Sequence, residues 1–114
     1  MFNLATIPNI YLAKDNVDFR KSIDGLINII YYEYNLNPYS NALFIFCNKS
    51  RNKLKIIHYD TNGFWLYYKR LDNSRFKWPN LKITKEINFK QVNLLLSGID
   101  MFTSEGFKEN NYKM

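Results

Sequence analysis

Apolar residues recur along the chain with two different periods, and those periods set out the elements. Ile10-Tyr11-Leu12-Ala13, between Pro8 and the polar Lys14-Asp15-Asn16, predicts a short first strand. Phe19, Ile23, Leu26, Ile27, Ile30 and Tyr34 follow at three- and four-residue spacing. That is the stripe of an amphipathic helix over about 19–34, with Asp18 as its N-cap, ending before Asn35 and Asn37-Pro38.

Beyond Ser40 the period shortens. Ala42 to Cys47 is a continuous apolar run, Asn48 to Asn52 a polar turn, and Lys53 to Tyr59 a second run. Together they predict a hairpin. Alternation along its second strand puts Leu54, Ile56 and His58 on one face and Lys53, Lys55, Ile57 and Tyr59 on the other. Asp60-Thr61-Asn62-Gly63 carries an Asn-Gly pair suited to the positive backbone angles of a tight turn, and Phe64 to Leu71 supplies a third strand. After Asp72-Asn73-Ser74 and Arg75-Phe76-Lys77-Trp78-Pro79, residues 81–85 read as an edge strand. Asn88 and Gln91 then stand three apart, as in a capping box. They introduce a helix over 89–98 with Gly98 as its C-terminal stop.

The expected fold is therefore α+β: an antiparallel three- to four-stranded meander, centred on 42–71, with both helices covering one sheet face. The domain is expected to span 1–102, and the polar stretch 103–114 reads as a flexible tail. Short polar turns favour sequential antiparallel pairing, since parallel pairing needs a crossover.

Composition narrows the function. A chain of 114 residues with 46% hydrophobic residues has material for one core, and its apolar runs are too short to cross a bilayer, so a cytoplasmic protein is expected. A single cysteine, Cys47, excludes an internal disulfide and a multi-thiolate zinc site. The only histidine, His58, lies mid-strand as a packed sheet residue would, and Cys47 closes an apolar strand as a small buried hydrophobe would. Asp15, Asp18 and Asp24 crowd the start of the first helix, where capping explains them, and Asp60 and Asp72 fall in turns. A metal-dependent nuclease built on Asp18, Asp24 and Asp60 would need these acids to converge. No Gly-rich phosphate loop occurs, and no cofactor is expected.

The net charge of +6 is unevenly spread: residues 49–85 hold ten basic residues against Asp60 and Asp72, and the remainder is slightly acidic. A basic hairpin of Lys49, Arg51, Lys53 and Lys55 can lay its charges along a phosphate backbone. It can equally be a solvated turn beside an edge strand that lysines protect from aggregation. Lys69 and Arg70, and Arg75 and Lys77, interleave with aromatics. Strand alternation assigns Phe64, Leu66 and Tyr68 to the core and leaves base stacking to the others. Arg20 and Lys21 oppose the dipole of the helix they begin, which hints at a contact with a partner.

Several segments in collinear order carry a family pattern: Asp18-Phe19-Arg20-Lys21 with Ile23-Asp24-Gly25-Leu26, Asn37-Pro38-Tyr39-Ser40, Asp60-Thr61-Asn62-Gly63-Phe64, Tyr68-Lys69-Arg70-Leu71, Arg75-Phe76-Lys77-Trp78-Pro79, and Leu94-Leu95-Leu96 before Gly98-Ile99-Asp100. Over about 7–102 the chain closely resembles the TnpB-type accessory proteins encoded by the second reading frame of insertion-sequence-sixty-six elements. It departs from them at Ser22, where a glycine is frequent, and at Cys47, where a basic residue is frequent, leaving Lys49 and Arg51 as substitutes. The resemblance implies a small bacterial protein without a catalytic site, acting beside a large transposase that carries the acidic triad itself. Two roles follow. One is DNA binding of weak sequence preference through Arg20, Lys21, Lys49, Arg51, Lys53, Lys55, Lys69, Arg70, Arg75 and Lys77. The other is docking of the transposase alone, with the charge serving solubility.

Overall fold

A computed structural model describes residues 4–101. The tail expected over 103–114 lies outside the described residues. The predicted hairpins are present: β2 (Leu43–Cys47) pairs antiparallel with β3 (Lys53–Asp60), and β3 with β4 (Gly63–Arg70). The meander is part of a larger sheet. β1 (Ile10–Leu12) joins β2 in parallel, and β5 (Lys85–Ile87) pairs antiparallel with the outer side of β1. The five strands lie in the order β4-β3-β2-β1-β5, so the sheet is mixed rather than an antiparallel set of three or four. The crossover that parallel pairing requires is the long connection from β1 to β2, which carries the first helix. The edge strand expected at 81–85 falls later, at 85–87.

The two helices occupy opposite faces of the sheet, not one. On one face Leu26, Ile29 and Ile30 pack with Phe44, Phe46 and Ile57. On the other, Val92 and Leu95 pack with Ile10, Leu12, Leu43, Ile45, Leu54 and Ile56. β2, buried at all five positions, lies between the layers. Its unbroken apolar run is what a strand covered on both faces requires.

The first helix is shorter than its stripe. Asp18 does not cap it: its carboxylate accepts the backbone N–H of Arg20 and pairs with the Arg20 guanidinium, while Lys21 N–H bonds the Asp18 carbonyl. Residues 18–21 thus form a turn, and α1 (Ile23–Asn28) begins after Ser22, whose side chain makes no capping bond. The carbonyls of Phe19 and Lys21, which a longer helix would use, instead receive the Lys55 ammonium. α1 passes into a π-helical turn, Ile29–Glu33, closed by Tyr34 N–H on the Ile29 carbonyl and ended by Asn35 at positive φ. α2 (Phe89–Leu96) is delimited as the sequence predicts. Asn88 and Gln91 form a reciprocal capping box, and Gly98, at φ +78°, closes a Schellman motif with Gly98 N–H on Leu95 O and Ile99 N–H on Leu94 O. In the β3–β4 turn the positive angle falls on Thr61 rather than on the Asn-Gly pair, and Gly63 belongs to the strand.

Candidate nucleic-acid interface

All ten basic residues singled out in the sequence gather at one end of the sheet. The register Cys47↔Leu54 and Lys53↔Arg70 brings the end of β2, the start of β3 and the end of β4 together. The 48–52 turn projects there. It is built by Asn48, whose Oδ1 accepts the N–H groups of Asn52 and Lys53 and whose Nδ2 donates to Asn52 Oδ1 at 2.7 Å. The 13–21 segment runs alongside, with Ala13 N–H on Ile45 O and Val17 N–H on Cys47 O. Residues 71–78 return across the same end: Leu71 N–H bonds Asn52 O, Phe76 N–H bonds Arg51 O, and buried Trp78 donates Nε1–H to Ala13 O at 2.9 Å.

The ten cations divide by environment. Lys55 is only 8% exposed; its ammonium donates to Phe19 O at 2.8 Å and Lys21 O at 3.0 Å and lies 4.8 Å from the Phe19 ring centre. This is a structural tether, so the expectation that the hairpin lysines are uniformly exposed fails at Lys55. Arg51, half-buried and held at φ 60°, donates from Nη1 to Trp78 O at 3.1 Å. Lys69 donates to the Leu96 carbonyl at the end of α2, where a cation complements the helix dipole. Arg20 is paired with Asp18 at 2.6 Å; the hydrogen bond from its guanidinium holds the Asp18 carboxyl down at about 2. Arg70 faces Asp72 at 3.6 Å. Lys21, Lys49, Lys53, Arg75 and Lys77 have no carboxylate of the described residues within 4 Å. Lys53 and Arg70 stand directly opposite on neighbouring strands, an unfavourable like-charge pair.

The aromatics sort differently from expectation. Phe76 and Trp78 are buried in the α2-side core, and Arg75 and Lys77 alternate with them outward. Phe64 and Leu66 pack partly against the α1-side core, as alternation predicts, but Tyr68 on the same face is 53% exposed. Sequence alternation alone missed this, because α1 starts too late to cover that end of β4. On the opposite face Trp65 is 55% exposed and stacks near-parallel with Tyr67.

Other candidate chemistry is dispersed. Asp60 closes the far end of β3 against Gly63, remote from Asp18 and Asp24, and among the described residues no three His, Cys, Asp or Glu side chains converge. Buried His58 meets Asn41 Oδ1 through Nε2 at 2.6 Å, and burial lowers its pKa. Burial likewise raises the Cys47 thiol to about 11, as for an inert core residue. Among the described residues no helix is long and apolar enough to cross a membrane.

The family model described as IS66 Orf2 like protein matches residues 8–105. Two curated relatives, the uncharacterized proteins y4hO and y4jC of Sinorhizobium fredii, are 36% and 29% identical to the chain over 92 residues. The alignment covers 80% of this chain and 80% and 79% of the two relatives. No solved structure matches.

Proposed function

The chain belongs to the IS66 Orf2-like family of transposition accessory proteins, and from that premise we propose that it is a non-catalytic factor that binds element DNA through the basic end of its sheet. The observation that supports this is the convergence of ten basic residues from four separate segments at one end, eight of them with no carboxylate of the described residues within 4 Å. Such a surface neutralises phosphates and releases their counterions, which gives affinity with little base preference.

The groups that carry the contact are Lys21, Lys49, Lys53, Arg75 and Lys77, with Arg20 and Arg70 sharing their charge with Asp18 and Asp72. Lys55 and Arg51 act from beneath: each binds a backbone carbonyl of a segment that carries others of the set, whereas Lys69 is engaged by the Leu96 carbonyl at the end of α2.

The test is a salt titration of duplex binding by fluorescence anisotropy. Changing Lys49, Lys53, Arg75 and Lys77 to glutamine lowers affinity and flattens the plot of log K against log salt by about 0.9 for each phosphate that is no longer neutralised. An unaltered slope refutes the DNA-binding reading. A second role, docking of the transposase, is supported by the exposed Tyr31 and Tyr32 on the π-helical turn and by exposed Tyr39, which packs with Tyr59 and Phe64 at the far end of the β3–β4 hairpin. Co-purification of the transposase with wild type, but not with a Tyr31→Ser, Tyr32→Ser variant, supports that role.

A further inference from the structure

Within the basic end one aromatic side chain is exposed without a structural need to be. Tyr68 belongs to the face of β4 that carries Phe64, Leu66 and Arg70, directly across from Lys55 on β3. Phe64 and Leu66 have partners in the α1-side core; Tyr68 is past the reach of α1 and leaves half its surface in water. Its neighbour is the Phe19 ring, 6.3 Å away between centroids and tilted by 58°. Phe19 is fixed by Lys55, which binds the Phe19 and Lys21 carbonyls and lies over the Phe19 ring. Two rings are thereby held at an angle, and the adjoining positions in chain and register are Arg20, Lys21, Lys53 and Arg70.

We propose that Tyr68 and Phe19 form a stacking site for an unpaired base of single-stranded DNA, with Lys21, Lys53 and Arg70 taking the phosphates on either side. The inference rests on the DNA-binding reading above and deepens it. A solvated face for duplex phosphates has no use for an exposed phenol at its centre, whereas binding of single strands combines aromatic platforms with flanking cations. The like-charge opposition of Lys53 and Arg70 is relieved when a phosphate lies between them. A transposition intermediate with frayed or displaced ends would present such a strand beside duplex, and one end of the sheet would contact both.

The full chain is tested against a 12-nucleotide single strand carrying 2-aminopurine and, in parallel, against a plain duplex. Stacking on wild type quenches the 2-aminopurine fluorescence. Tyr68→Leu abolishes the quench and weakens single-strand affinity at least fivefold, a loss of about 1 kcal/mol or more per stacked base, with duplex affinity within twofold of wild type. Tyr68→Phe, which keeps the ring, retains both signals. Thermal melting of each variant confirms folding, which an exposed side chain does not control. If Tyr68→Leu keeps the quench and the single-strand affinity while duplex binding retains its salt slope, the stacking site is refuted and the phosphate-binding surface stands. If wild type binds neither strand form, both fail, and a variant that loses duplex and single-strand affinity equally marks Tyr68 as a general contact and also refutes the stacking site.

Discussion

Replacing Lys55 by methionine isolates the role of a cation that the sequence alone groups with its exposed neighbours. Methionine keeps the apolar stem and removes the ammonium. Two charge-assisted hydrogen bonds to the Phe19 and Lys21 carbonyls disappear, each contributing ~1.5–3 kcal/mol, together with a cation–π interaction of ~1 kcal/mol. Against this, the variant no longer has to strip water from a nearly buried ammonium, a cost of several kcal/mol. The two carbonyls lie in an exposed turn and regain water. The balance is a destabilisation of about 2 kcal/mol, which lowers the melting temperature of a domain this size by roughly 8–16 °C. Urea unfolding monitored by tryptophan fluorescence reads the free energy, with Lys49→Gln as the control expected to stay within about 0.5 kcal/mol of wild type. Amide exchange supplies a second readout, since protection should fall at residues 19–22 before it falls in β2. A Lys55→Met protein as stable as the Lys49→Gln control, with unchanged exchange at 19–22, refutes the tether.

Trp78→Phe removes the Nε1 bond to Ala13 and leaves a buried carbonyl short of a donor, so stability falls by about 1–2 kcal/mol in the same assay. Thr61→Asn relieves a β-branched residue at φ 56° and raises stability by roughly 0.5–1 kcal/mol in denaturant melts. The Asp18 carboxyl, titrated by NMR, has its midpoint near 2 and moves back towards 3.8 in Arg20→Gln. Because its folded value is the depressed one, the contribution of this pair to folding is complete above 3.8 and is lost as pH falls through about 2. His58 has a lowered folded value through burial, so the unfolded chain takes up its proton first: His58 leaves stability unchanged above 6.5 and reduces it as pH falls below that value, an effect that His58→Asn removes from the pH–stability profile.

Local signals specified what local physics decides. The α2 capping box, Gly98 and the β2–β3–β4 meander depend on contacts a few residues apart, and they stand where the sequence puts them. The parallel β1–β2 pair joins segments some thirty residues apart, with no turn motif to announce it, and so the sheet is mixed where an antiparallel one was expected. The first helix was mislocated for a related reason. Asp18 has the chemistry of an N-cap, but Arg20, two residues on, takes its carboxylate, and Lys55 from a distant strand takes the carbonyls that would have propagated the first turn. Once α1 begins at Ile23 it no longer reaches the end of β4, and Tyr68, assigned to the core by alternation, is left exposed.

Charge counting found the basic residues, but only tertiary contacts distinguish their work. Lys55 and Arg51 lie on β3 and in the turn before it, and each ends on a carbonyl of a segment far away in sequence. Lys55 secures 19–21, which bears Arg20 and Lys21; Arg51, through Trp78 O and the Phe76 N–H, secures 76–78, from which Lys77 projects. Two cations are thus spent inside the structure to hold others at its surface. Like charges brought together in this way repel, most directly where Lys53 faces Arg70, and a fold selected for stability alone would place a carboxylate or an apolar residue there. The proposed DNA-binding role accounts for the missing carboxylate beside Lys53: the counter-charge would come from outside, where a phosphate backbone offers it in a regular array.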